Sequence, residues 1–351
     1  MPCNQAHSPS SPAPFFGLEP NCVLDALAAV GLNGDGRLLQ LNSYENRVFQ
    51  VFLEDGHAVI AKFYRPQRWT DDQIVEEHQL VAQLAAAELP VAPAIALAVD
   101  PQAAFAPQLQ LIYPTLAKVE TPARAHRFSV APRLGGRAPD LADPVTLEWL
   151  GRTIGRMHAV GARGRFTTRL TLSPQAMGRD SRDWLLDNQF IAPEAIDSWR
   201  RAADAALAGV VEIFARVGTV RHLRLHGDCH LGNVLWAQHG PQFVDFDDAC
   251  TGPAVQDLWM LLSGDRDAMQ RDLMTILEGY SSFMDFDHRE LQLIEPLRTL
   301  RMLRHSAWIA QRWSDPAFPL AFPWAGEPGY WLDQATALRE QTAAMAEPPL
   351  G

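Results

Sequence analysis

Two kinds of apolar spacing divide the chain. Up to about residue 133 the apolar positions come mostly in short runs of β-branched and aromatic residues, and beyond about 140 they recur every three to four positions. The first patterned segment reads as a short helix from Glu19, with Val23, Leu24, Leu27 and Val30 on one face and Gly31 as its stop. Runs 47–53 and 58–64 read as strands, and the Asp55-Gly56 step between them reads as a hairpin turn. A helix is expected over 70–88. Thr70 suits its N-cap, and Asp71 and Asp72 suit its first turn, where the helix dipole favours negative charge. Leu80, Val81 and Leu84 form its apolar stripe, and the prolines at 90 and 93 end it, because proline cannot continue a helix. Further strands are expected at 109–113 and 127–132, with Gly135-Gly136 as a break. Helical periodicity then fills 144–161, 194–217, 253–262, 267–283, 290–313 and 329–346, interrupted by non-helical islands at 224–235 and 242–249. The pattern predicts an α+β chain with a cleft near 132–140. Its parts are a Ser- and Pro-rich mobile tail over 1–14, a β-rich lobe over 15–133 and a helical lobe over 134–351.

Composition narrows the class. A length of 351 residues agrees with two lobes at roughly 150 residues each. Ten Trp and 16 Phe are too much apolar surface for a disordered chain. With 30 Lys and Arg against 41 Asp and Glu, the net charge is −11, so no general field attracts a phosphate backbone and nucleic acid is not expected as a partner. Cys3, Cys22, Cys229 and Cys250 form neither a C-x-x-C pair nor a zinc spacing, which predicts reduced thiols. There is no secretory signal and no run near the ~18 apolar residues of a membrane span, so a cytoplasmic protein without membrane association, and by default a monomer, is expected.

Candidate chemistry concentrates in the two islands. Leu225-His-Gly-Asp-Cys-His-Leu-Gly-Asn-Val-Leu235 is followed, across a Gly-Pro turn, by Phe243-Val-Asp-Phe-Asp-Asp248. Asn233 stands five residues after Asp228, and Asp245 twelve after Asn233. Phosphoryl transfer needs this inventory, because its transition state spreads negative charge over oxygens and requires a divalent cation held by hard oxygen ligands. Asn233 and Asp245 suit the metal. Asp228, free of metal, suits the acceptor hydroxyl as a base.

His226 to Asn233 resembles the catalytic loop of the aminoglycoside phosphotransferase and choline kinase group, which has the protein-kinase-like fold, and Val244-Asp245-Phe246 resembles that group's metal-binding segment. Longer stretches narrow the resemblance: Leu41-Asn-Ser-Tyr-Glu-Asn-Arg-Val48, Lys62-Phe-Tyr-Arg-Pro66, Glu76-Glu-His78, Gly252-Pro-Ala-Val-Gln-Asp-Leu-Trp-Met-Leu261 and Asp315-Pro-Ala-Phe-Pro319. From about residue 15 to 350 the chain is similar to the bacterial stress response kinase A family.

That resemblance implies a bilobal Ser/Thr protein kinase that uses ATP and Mg²⁺, phosphorylates proteins and acts in a stress response. It implies that Lys62 contacts the α- and β-phosphates. It further implies Glu77 as the partner of Lys62, with Glu76 as the alternative. Neighbours on a helix point about 100° apart, and Glu77 borders the stripe of Leu80, Val81 and Leu84. No G-x-G-x-x-G precedes the first strand, so Ser43 and Asn46 are the residues expected to donate to phosphate oxygens. Backbone groups near Val130 to Arg133 are expected at the adenine. His226 and Asp257 are expected to brace the catalytic loop, His158 to pack near it, and Trp308, Trp313, Trp324 and Trp331 to serve as packing. The alternative is a small-molecule kinase of the aminoglycoside, choline or homoserine type, whose cationic acceptors Asp247 and Asp248 would suit.

Overall fold

The computed structural model describes residues 13–351; residues 1–12, including Cys3 and most of the expected tail, lie outside them. The described chain forms two compact units.

The first unit comprises residues 13–71, 95–132 and 314–317. It contains helix α1 (Pro20–Ala28) and strands β1 (Gly34–Leu41), β2 (Arg47–Leu53), β3 (Ala58–Phe63), β4 (Leu109–Tyr113), β5 (Leu116–Glu120) and β6 (Ala125–Pro132). The strands form one antiparallel sheet in the order β1-β2-β3-β6-β5-β4. Alternation makes the core. Phe49, Val51 and Leu53 of β2 and Val59, Ala61 and Phe63 of β3 are buried, and α1 adds Val23, Ala26 and Leu27 to the same cluster. Ile60 and Lys62 therefore point to the other face of the sheet. The Asp-Gly hairpin forms as expected. Leu53 N–H donates to His57 O (2.8 Å), and Gly56 takes the left-handed φ of +87° that closes the turn. Strands β1 and β5 had no clear sequence pattern. The first is largely exposed at the sheet edge, and the second is five residues long with Lys118 and Glu120 inside it.

The second unit comprises residues 72–94, 133–313 and 318–351. Its elements are α2 (Asp71–Ala86, all but its first residue), α3 (Pro144–Gly161), α4 (Asp180–Asp187), α5 (Ile196–Val217), β7 (His222–Leu225), β8 (Val234–Ala237), β9 (Gly240–Phe243), β10 (Cys250–Pro253), α6 (Gln256–Trp259), α7 (Arg266–Ser281), α8 (Ile294–Gln311), α9 (Ala317–Ala321, largely in this unit) and α10 (Pro328–Ala344). Helix α2, expected with the strand-rich lobe, groups here because Leu80, Val81 and Leu84 join the same core as Leu147, Leu150 and Ile154 of α3. Each such buried leucine contributes about 1.5–3 kcal/mol. The helix expected over 253–262 shrinks to α6. Residues 250–253 instead zip antiparallel against β7. Among the described residues no helix is long and apolar enough to cross a membrane.

Within this unit, helices α3 and α7 approach closely through glycines. A Cβ on Gly151 would stand 2.0 Å from Ile276 O, and one on Gly279 would stand 2.2 Å from Glu148 O. That closeness brings the Tyr280 hydroxyl onto His158 Nδ1 at 3.0 Å. Gly279→Ala should therefore lower stability by about 1–3 kcal/mol through overpacking. Gly329→Ala, where a Cβ meets nothing within 4 Å, should leave it unchanged. Thermal unfolding of the two variants checks the contrast.

Candidate active site

The catalytic-loop island begins where β7 ends. Its backbone is gripped by a carboxylate from the next strand-helix unit. Asp257, fully buried near the start of α6, accepts hydrogen bonds from the backbone N–H groups of His226 and Gly227, both at 2.8 Å. Gln256 donates to Gly227 O at 2.9 Å. Gly227 is obligatory, because its φ is +85° and a Cβ would meet Asp248 O at 2.2 Å. Asp257 is oriented in turn by His158 Nε2 at 3.1 Å, and His158 by Tyr280. Burying a carboxylate requires that its oxygens be hydrogen-bonded, and here every donor is supplied. Glu290, also buried, accepts from Val255 N–H (2.9 Å) just before α6, and burial pushes its carboxyl up to about 7.

The two islands are bonded to each other. Asn233 Nδ2 donates to Asp228 O (2.9 Å), and Val244 N–H donates to Asn233 O (3.0 Å). His226 Nε2 donates to Val244 O (2.9 Å), and its ring lies 4.4 Å from the Phe246 ring. Asp245 thus stands between two anchored neighbours, exposed and in the left-handed region at φ +60°, which aspartate tolerates better than most residues. A conformation of this kind persists where the surroundings over-determine it. Asp228, Asn233 and Asp245 are therefore brought into one loop cluster, as their spacing led us to expect.

Asp228 is flanked by an arginine and a histidine. Its Oδ1 accepts from Arg301 Nη1 of α8, and its Oδ2 faces His230 Nε2 at 3.4 Å. The His230 tautomer follows from its other nitrogen: Nδ1 accepts from Gly232 N–H (2.9 Å), which leaves the proton on Nε2, facing Asp228. Burial alone would raise the Asp228 carboxyl, but the His230 hydrogen bond and the Arg301 charge reverse this and hold it well below the ordinary carboxylate range. Asp228 is thus an ionised, weakly basic group suited to orienting a hydroxyl. Arg301 escaped the sequence reading, because an arginine 73 residues downstream on an amphipathic helix has no local signature.

Of the two candidate glutamates, Glu76 is committed elsewhere. Its carboxylate accepts from the backbone N–H groups of Thr167, Thr168 and Arg169 and from both threonine hydroxyls, at 2.6–3.1 Å. Arg169, itself buried, donates to Gln73 O (2.9 Å), Ala249 O (2.6 Å) and Asp247 O, so this loop supports the segment that follows Asp245. Neither anchor was legible, since each joins positions about 80–90 residues apart. Glu77 is 7% exposed, with His78 Nε2 3.6 Å from its carboxylate. Asp247, weighed as a ligand for cations, is buried at 5% exposure.

In the first unit, Lys62 lies at the centre of the sheet, opposite Val48 and Ser129. The glycine-free segment 41–46 is stiffened by side chains. Ser43 Oγ accepts from Asn46 N–H (3.2 Å), Asn46 Oδ1 accepts from Arg65 N–H (3.1 Å), and Arg65 donates to Tyr44 O and Glu45 O, each at 3.0 Å. Arg65 also pairs with the Glu45 (3.1 Å) and Asp315 (2.8 Å) carboxylates. Asn46 is 2% exposed, so its oxygen has a structural task and only its Nδ2 carries donors.

Comparison with known proteins agrees with this geometry. Residues 37–294 match the phosphotransferase enzyme family, abbreviated APH. The chain is 42% identical over 336 residues, 96% of each chain, to stress response kinase A of Escherichia coli K12, and 40% identical with the same coverage to serine/threonine protein kinase RdoA of Salmonella typhimurium. Solved structures share the fold. An amicoumacin kinase in complex with AMP-PNP, Ca²⁺ and Ami has a TM-score of 0.67 at 18% identity, with 95% of each chain covered. A microcompartment-associated aminopropanol kinase has 0.68 at 17%, covering 93% of this chain and 98% of its own. The chain belongs to the phosphotransferase enzyme family, a class of kinases with the protein-kinase-like fold, and within it to the stress response kinase A family.

Glu76 gives the site a pH signature. Burial opposes its ionisation, but the threonine hydroxyl and backbone hydrogen bonds bring its folded value down to about 2, from 4.5. A lowered folded value means that its stabilisation is complete above pH 4.5 and is lost as pH falls toward 2. Glu76→Gln should cost about 1 kcal/mol at neutral pH, the partial exposure limiting the effect, and should flatten the decline between those values. Urea unfolding at a series of pH values checks both.

Proposed function

We propose that this chain is a Ser/Thr protein kinase that transfers the γ-phosphoryl group of ATP to protein hydroxyls, with Mg²⁺ as its metal, in a cytoplasmic stress response. The observation that supports the reading is the bonding of the loop that holds Asp228 and Asn233 to Val244, the neighbour of Asp245. Names of relatives 40–42% identical over nearly the whole chain support the kinase class and the stress role, and one of them is called a serine/threonine protein kinase.

The donor set fits a hard divalent ion. Asn233 points its Nδ2 at Asp228 O, which turns Oδ1 the other way, and Asp245 offers an exposed carboxylate. Phosphate and water oxygens would complete the shell. Bound there, Mg²⁺ would offset charge on the phosphate oxygens. Lys62 is assigned to the α- and β-phosphates, Ser43 and Asn46 Nδ2 to the phosphate-covering segment, and Glu77 rather than Glu76 to Lys62. Asp228 orients the acceptor oxygen as it bonds to the γ-phosphorus, the bond to the bridging oxygen breaks toward ADP, and the hydroxyl proton passes to the Asp228 carboxylate. The second reading, a small-molecule kinase, rests on fold neighbours named as kinases of amicoumacin and aminopropanol.

Labelled ATP offered with a generic protein and with a panel of small amines and amino alcohols distinguishes the two, and label on protein is the expected result. Asp228→Ala should reduce transfer by about 10²–10⁴-fold while nucleotide affinity holds. Asp245→Ala should weaken metal-dependent nucleotide binding. Near wild-type turnover in Asp228→Ala overturns the assignment.

A further inference from the structure

Basic side chains stand on the face of α8 that reaches Asp228, on a chain whose net charge is −11. Arg301, Arg304 and His305 lie within about one turn of α8 and share a face. Arg301 uses Nη1 on Asp228 and makes no other hydrogen bond or ion pair among the described residues. Its side chain is 42% exposed, so most of its five donors face solvent. Arg304, one turn further on, has no hydrogen bond or ion pair among the described residues, and its charge reaches the thiol of Cys250 on β10, the strand paired with the one that leads into the catalytic loop. His305 feels both Arg301 and Asp228. Arg301 on Asp228, with Arg304 one turn along the same helix face, offers guanidinium donors next to the catalytic loop, and arginine is the side chain best shaped to take a carboxylate or phosphate. Of the two carboxylates expected to suit a cationic acceptor, Asp247 is buried with its backbone oxygen held by Arg169, while Asp248 is half-buried.

We propose that Arg301 and Arg304 form an anion subsite beside Asp228, which selects acceptor hydroxyls flanked by negative charge, as in an acidic or already phosphorylated Ser/Thr segment. The proposal rests on the protein-kinase reading for the identity of its ligand, and on the geometry alone for its charge. An incoming carboxylate or phosphate competes with Asp228 for Arg301, so an acceptor of the right charge draws Nη1 away from Oδ1 and leaves that oxygen to receive the hydroxyl proton. A cationic acceptor has no such lever and meets repulsion from both arginines.

The test separates binding from transfer. One Ser-containing peptide is made with neutral, Asp/Glu, phosphoserine or Lys/Arg flanks, along with Ala-for-Ser versions that cannot accept phosphate. Calorimetry with the Ala versions should show the acidic and phosphorylated peptides binding the wild-type protein at least about 10-fold more tightly than the basic one. Comparison of the acidic with the phosphorylated peptide identifies the favoured anion. Arg304→Ala, which leaves the Arg301–Asp228 contact in place, should lose most of this preference and raise KM for anionic peptides more than it lowers kcat. Arg301→Glu should reverse the preference. Equal binding of all the peptides by the wild-type protein, or a preference that survives both substitutions, overturns the anion subsite. Selective anionic binding without label on any Ser peptide would instead leave the subsite standing and overturn the protein-kinase reading.

Discussion

The catalytic loop of this protein rests on one buried carboxylate. Asp257 has no exposed surface, and its oxygens hold the two backbone N–H groups that precede Asp228. A carboxyl group in such surroundings is tolerable only when fully hydrogen-bonded, so its presence forces the rest of the arrangement. His158 must orient it, Tyr280 must orient His158, and the glycines of α3 and α7 must let those helices approach. Gly227 must turn through a positive φ to bring its own N–H to the same carboxylate. The loop is therefore positioned by chemistry that lies behind it, and the side chains of Asp228 and Asn233 are left for what lies in front.

A second constraint acts on the front face. Asp228 is held ionised by Arg301 and His230, against the penalty of its own burial. A strongly basic carboxylate is not what a loose phosphoryl-transfer transition state needs, because the hydroxyl gives up its proton late and the main tasks are placement and charge balance. The Arg301 charge and the His230 hydrogen bond that weaken Asp228 as a base also shape its surroundings. Under the proposed anion subsite, the Arg301 contact would serve both the tuning of Asp228 and the choice of acceptor. The segment 41–46 follows a parallel logic: where other kinases use glycine to let backbone approach phosphate, this one uses Arg65 to hold a glycine-free loop in shape.

Much of this was legible in the sequence where the signal is local. The Asp-Gly hairpin and the stripe of Leu80, Val81 and Leu84 read correctly as structure, and the two islands that carry Asp228, Asn233 and Asp245 are bonded to each other, because each depends on residues close in the chain. The assignment of Asp257 to the loop backbone came from resemblance and agrees with its two hydrogen bonds. Long-range partners were invisible. Arg301, Arg169 and the threonines under Glu76 meet their partners across 73 to 96 residues, and nothing in their own neighbourhoods marks them. The choice between Glu76 and Glu77 shows the difference well. The helical stripe favoured Glu77, but only the Thr167–Arg169 loop shows what Glu76 does instead. Strands β1 and β5 were missed for different reasons: β1 is a largely exposed edge strand, and β5, although Leu116, Ala117 and Val119 are buried, is only five residues long.

The most direct measurement is amide hydrogen exchange at His226 and Gly227. If Asp257 anchors the loop, these two amides exchange among the slowest in the protein, opening only with the second unit's core, and Asp257→Ala speeds both selectively by about 10-fold or more. Rapid exchange at these amides in the wild-type protein, or protection unchanged by Asp257→Ala, would contradict the account.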